Sequence, residues 1–131
     1  MRVVIAPDAV GTLDASAVAE AVVAGWRRGA PADDPVVVGD LAGLDAALDG
    51  AGLVVTAEAT FDWRSLRDSH VAAVAGAAVA RGVPCLVLAE QVSAGRREAA
   101  AIGVDAAYAI SDEAGASLTG LAEKVARLWS R

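Results

Sequence analysis

Cysteine, histidine and lysine each occur once in this chain, as Cys85, His70 and Lys124. A single thiol excludes an intramolecular disulfide and a cysteine-based zinc site, and a single imidazole excludes a histidine metal cluster. Lys124 and ten arginines form no basic stripe, and the net charge is −6. Nucleic acid needs clustered basic side chains against its phosphates, so it is not an expected partner. No apolar run approaches the roughly 18 residues of a membrane span. The opening MRVVIAPD is interrupted by Pro7 and Asp8 too early for a secretory signal and reads as a strand. The expectation is a cytoplasmic protein with no membrane partner. Cys85 lies within the apolar run PCLVLA and reads as core packing.

Several catalytic signatures are absent as well. No G-x-G-x-x-G follows the first strand, and there is no G-x-x-x-x-G-K-[ST] or G-x-S-x-G. A phosphoacceptor receiver domain would end its third strand in Asp, where this chain has Thr56.

What is present is a regular alternation. At 131 residues, 56% of them hydrophobic, the chain is long enough for one domain, residues 1–131. Short apolar runs at 2–6, 36–39, 53–57, 86–89 and 106–110 read as strands. Between and after them, helical patterns cover 15–28, 41–48, 65–80, 94–102 and 117–129, with Asp14 an N-cap candidate and Gly103 a stop. Strands that read as continuous Val/Ile/Leu runs are buried on both faces, which parallel sheets require. The pattern predicts a three-layer α/β/α Rossmann-like domain with a parallel five-stranded sheet in the flavodoxin-like order 2-1-3-4-5.

In such sheets ligands bind where loops leave the carboxyl ends of the strands. The loops to inspect are 7–14, 39–43, 57–64, 90–94 and 111–116. They concentrate carboxylates: Asp8, Glu58 and Asp62, with Asp40 and Glu90 nearby. Converging carboxylates suit Mg²⁺ or acid–base work on a hydroxyl, with Asp8 and Glu58 the magnesium candidates. The plainer reading is that Asp8 and Asp62 cap turns and Glu58 is solvated. Phe61 and Trp63 stand on the third loop as interface candidates, with local packing as the alternative. Trp129 is a helix residue that packs or joins a dimer surface. His70 reads as a solvated surface residue.

Two segments carry a resemblance. APDAVGTLDASAVAEAVVAGWRRGAPADDPVVV (6–38) and LVVTAEATFDWRSLRDSHVAAVAGAAVARGVPCLVLAEQV (53–92) resemble two blocks of the bacterial glycerate kinase family. The first family block runs A-P-D-S-F-K-G-[ST]-L-S-A; the second runs [LV]-[VI]-x-T-G-E-G-x-[ILF]-D and ends near G-V-P-V-x-A-L-x-G. The trailing GVDAAYAISD is also similar to the family's G-[IV]-D-A-x-F-x-I. The resemblance implies a Rossmann- or flavodoxin-like domain that the longer family proteins interrupt with a second, inserted domain. Here only GDLAGLDAALDGAG separates the two blocks.

Within the blocks the polar set has changed. S-F-K-G becomes Ala9-Val10-Gly11, T-G-E-G becomes Thr56-Ala57-Glu58-Ala59, the neighbouring Arg becomes Thr60, G-K becomes Asp68-Ser69, and a Gly after the fourth strand becomes Glu90. The resemblance makes Asp8, Thr56, Glu58, Asp62 and Ser65 the substrate-site candidates, with Asp8, Glu58 and Asp62 the catalytic ones. Lys and Arg neutralise phosphate, and Gly lets backbone amides approach it, so these changes work against phosphoryl transfer. Two expectations follow. One is an inactive kinase-like module that acts through a protein partner: a homo-oligomer, a full-length paralogue or another protein, with no cofactor required. The other is a small hydroxy-acid or nucleotide binder, or a D-glycerate kinase active alone or in trans, for which Mg²⁺ and ATP would be the cofactors.

Overall fold

The computed structural model describes residues 1–110 and 117–130. The strands are β1 (Arg2–Ala6), β2 (Asp34–Val37), β3 (Leu53–Phe61), β4 (Cys85–Val92) and β5 (Ala106–Ala109). The helices are α1 (Ala15–Gly29), α2 (Leu44–Leu48), α3 (His70–Ala80), α4 (Arg96–Ile102) and α5 (Leu118–Trp129), with 3₁₀ turns at Leu41–Gly43 and Trp63–Leu66. All strand pairs are parallel and their order is β2-β1-β3-β4-β5. The α/β class and the flavodoxin-like strand order are those expected from the sequence.

Alternation along the strands splits the core in two. Val3, Ile5, Leu53, Val55, Leu86 and Leu88 face α1 and α5, while Val4, Val54, Cys85 and Val87 face α2, α3 and α4. Cys85 is fully buried, and burial pushes its thiol up to about 12, so it is inert packing.

Local chemistry sets the helix ends. Asp14 accepts the Ala17 amide at 2.8 Å and starts α1, which Arg27 and Arg28 close favourably against the helix dipole. Gly25 and Gly29 let α1 lie directly on α5: a Cβ at either would run into the carbonyl of Thr119 or Glu123. The missing side chains are what allow the two helices to meet backbone to backbone.

Several boundaries differ from the sequence expectation. β2 starts two residues early and includes Pro35 opposite Val3, which an edge strand tolerates because its outer side needs no donor. The helix expected at 65–80 is broken by the stretch 67–69, where Asp68 has φ 27°. Ser69 caps α3 afresh by accepting the Ala72 amide at 3.0 Å. β3 and β4 run past their expected ends to Phe61 and Val92, so the regions expected as loops at 57–64 and 90–94 begin as a two-stranded ladder. The loop expected at 111–116 lies outside the described residues.

Candidate functional site

The site stands at the carboxyl end of the sheet, where β1 stops at Ala6 and β3 continues beside β4 alone. After Ala6 the chain turns through Pro7 to an exposed Asp8, whose Oδ1 accepts the following Ala9 amide at 2.8 Å. Val10 and Leu13 then exchange two backbone hydrogen bonds of 2.9 Å, closing a tight turn with Gly11 at φ 56°. Glu90, from β4, lays its carboxylate directly over Gly11, where a Cβ would collide with Oε1. The turn that follows β1 is therefore covered by a negative charge.

On β3, Thr56 and Glu58 are two residues apart and share a strand face. Glu58 Oε1 accepts from Ser65 Oγ at 2.9 Å, while its Oε2 is buried with no partner among the described residues. Thr56 is 1% exposed, and its hydroxyl is also buried without a partner among those residues. Burial raises the pKa of Glu58, opposed by the Ser65 hydrogen bond; the Asp62 and Asp8 charges add to the rise and His70 opposes it. Asp8, Asp62 and His70 thus lie close enough for the Glu58 carboxyl to feel each of them.

The remaining polar residues are committed. Asp62 caps the 3₁₀ turn, its Oδ1 accepting the Arg64 amide at 2.9 Å, while the Asp62 amide donates to Ser65 Oγ at 3.2 Å in a reciprocal capping box. The Arg64 guanidinium reaches Asp62 Oδ2 at 2.7 Å and holds that carboxyl below its usual range. Ser65 is buried, and its hydroxyl lies 3.2 Å from the Thr60 carbonyl as well as against Glu58. Asp62 and Ser65 therefore shape the turn.

The expectation that His70 is a solvated surface residue is corrected: it is half-buried, and its Nε2–H donates to the Ala6 carbonyl at 2.9 Å. Ala6 is the last residue of β1 to pair with β3, opposite Thr56, so this bond ties the first residue of α3 to the end of the strand. Only a proximity in the fold links positions 6 and 70, so sequence spacing carried no signal for it.

The expectation that Phe61 is displayed for a partner is also corrected. Phe61 is 0% exposed and packs with Val71, Val74 and Ala99 in the α3–α4 half of the core. The overrun of β3 turns its ring inward. Trp63, two residues on, is 72% exposed. Trp129 is half-buried, and its indole N–H donates to the Tyr108 hydroxyl at 2.8 Å, tying α5 to β5. Asp40, considered with the carboxylates, caps the Leu41–Gly43 turn by accepting the Ala42 amide at 3.0 Å.

This arrangement does not fit Mg²⁺. Among the described residues no three His, Cys, Asp or Glu side chains come together as a cation site. Asp8 already accepts its own turn amide, Asp62 is ion-paired, and Glu90 covers the turn where phosphate oxygens would complete a magnesium shell.

The model of the glycerate kinase family matches residues 34–130. Two proteins described as uncharacterized, from Mycobacterium bovis and Mycobacterium tuberculosis, are each 38% identical over 81 residues, covering 62% of this chain and 21% of theirs. The chain thus matches along about a fifth of the length of those curated relatives. A response regulator receiver domain from Rhodospirillum rubrum superposes with TM-score 0.57 at 12% identity, covering 99% of this chain and 94% of that one. That likeness concerns the fold alone.

Proposed function

The chain belongs to the glycerate kinase family, and we propose that it is a catalytically inactive member that works in the cytoplasm as a protein-interaction or regulatory module. What carries this reading is the carboxylate of Glu90 on Gly11. A phosphate drawn to the amides of that turn would meet a like charge. At about 4 Å such a pair repels by ~1 kcal/mol in bulk water and ~4 kcal/mol near a protein surface. Asp8 and Glu58 add charge of the same sign, and Arg64 is paired with Asp62. Phosphoryl transfer depends on positioning and charge neutralisation, so a rim of this sign removes its main requirement.

The β2–β3 connection supports the same reading. Leu44 and Leu48 of α2 are buried in the core, so this crossing is a packed part of the domain.

One observation favours a second reading, a binder of a small hydroxy acid or a nucleotide. The unpartnered Glu58 Oε2 and Thr56 hydroxyl offer an acceptor and a donor on one strand face. Unsatisfied buried polar atoms cost stability and mark places where a ligand hydroxyl or a water is expected. A coupled assay with D-glycerate, ATP and Mg²⁺ separates the readings, run beside a thermal-shift titration of the same ligands. The inactive module gives no product above the blank and no shift. A saturable shift without product identifies the binder, and steady turnover overturns inactivity.

A further inference from the structure

The two edges of the sheet are built differently. At one edge, β2 carries Pro35, which has no amide to donate, and the exposed Asp34. Charge and proline are the devices that keep an edge strand from pairing with another chain. At the other edge, β5 is Ala106-Ala107-Tyr108-Ala109, with no charge and no proline. Among the described residues it pairs only with β4, so its outer backbone groups are open.

Both faces of that edge are hollow. A cavity of about 540 Å³ lies on the α4 side, lined by Val92, Ala99, Val104 and Ala107 with Arg96 and Asp105. A smaller one of about 130 Å³ lies on the α5 side beside Tyr108 and Leu128, and Leu128 is 60% exposed.

The charges identify the occupant. Arg96 opens α4 just after β4 ends, so it lies at the carboxyl end of the sheet; Asp105 immediately precedes β5, at the amino end. Both are exposed, and Arg96 has no ion-pair partner among the described residues. Asp105 Oδ2 accepts the Cys85 amide at 2.8 Å, which leaves Oδ1 available. If a second β5 pairs antiparallel across a two-fold axis, the ends exchange. Each Asp105 then falls opposite the other copy's Arg96, so one edge is complementary to itself.

We propose that the β5 edge, with the grooves under α4 and α5, binds a second copy of this chain in a two-fold dimer. The two sheets join through antiparallel β5 strands, two Arg96–Asp105 pairs fix the register, and Leu128 is covered. This names a partner for the module reading above, yet it is measured separately: turnover would overturn inactivity and leave the dimer untouched.

Sedimentation over a concentration series tests it. The wild type is expected to show a reversible monomer–dimer equilibrium. Arg96→Asp places two like-charged pairs across the axis and should raise the dissociation constant about tenfold or more, while Arg96→Lys retains the dimer. Asp105→Arg should also be monomeric, and mixing it with Arg96→Asp should restore a heterodimer, because every crossing pair is again opposite in sign. Circular dichroism checks that Asp105→Arg is folded, since it also gives up the Cys85 amide bond. If it is not, the Arg96→Asp and Arg96→Lys contrast decides alone. A wild type that is monomeric at every concentration, or a dimer indifferent to Arg96→Asp, overturns the proposal.

Discussion

The first half of β3, Leu53 to Val55, is apolar and fully buried, whereas its second half carries Thr56 and Glu58, each with a buried polar atom that none of the described residues satisfies. The stem is flanked by β1 and β4 in the middle of the sheet; past Thr56 the strand loses β1 and keeps β4 alone. In the stem every residue choice agrees with burial between two helical layers. In the tip the choices conflict, with a carboxylate and a hydroxyl facing a low-dielectric interior. Such conflicts gather where a protein binds or once catalysed, because the rest of the fold can carry their cost. The difference teaches that the stem is built for burial alone, while the tip combines buried packing at Phe61 with unspent chemistry at Thr56 and Glu58.

The most forceful way to break this comparison is at the end of the tip. Phe61 closes β3 with its ring in the α3–α4 half-core, so it stabilises as a stem residue does. Phe61→Ala should cost about 3–5 kcal/mol in denaturant unfolding, as truncating a buried aromatic usually does. A loss below about 1 kcal/mol would mean that the tip is detached from the core. The dimer proposed at β5 should persist in this variant wherever it remains folded.

A smaller effect sharpens the electrostatic side. The pKa of Glu58 is raised in the folded state, chiefly by burial. The native chain therefore binds that proton more tightly than the unfolded chain. Between the unfolded and the raised folded pKa, the contribution of Glu58 to stability improves as pH falls and is lost as pH rises through the folded value. Glu58→Gln has no such proton. Its melting temperature relative to wild type should be most favourable near neutral pH and should decline as pH drops through the mildly acidic range. A difference that stays flat with pH would show that Glu58 is not held in a desolvated setting.

The fold was legible because periodicity reports burial. Residues such as Val3, Val54 and Leu86 had to sit between layers, and Asp14 and Gly103 marked helix ends by their own backbone chemistry. The position of the site was legible for the same reason, since strand order fixes which loops share an edge. Its content was less so. That Glu90 lies on Gly11, that His70 holds Ala6, and that Ser65 is used up between Glu58 and Asp62 are contacts between distant or turning segments. Nothing in their spacing encodes them. Phe61 stayed open between an interface and local packing because the alternation that marks a strand was too short there to separate an extended arm from a loop. The contrast between the DPVV edge and the AAYA edge was present in the sequence, and it acquired meaning only once the strand order placed both at the outside.

The smallest expected effect makes the sharpest contrast with the largest. Trp63 is two residues beyond Phe61 and 72% exposed, at the start of a turn that Asp62 and Ser65 cap without its help. Trp63→Ala should therefore change unfolding free energy by no more than about 0.5 kcal/mol, as exposed substitutions usually do. If it costs more than about 1 kcal/mol, the indole covers the tip, and the tip is better shielded than its exposure implies. Binding is a separate readout. An exposed Trp is a common anchor at protein interfaces, so this variant should lose affinity for any partner captured through the tip while keeping its fold. Retained affinity would instead direct attention to the β5 edge, leaving Trp63 an exposed aromatic with no role in recognition.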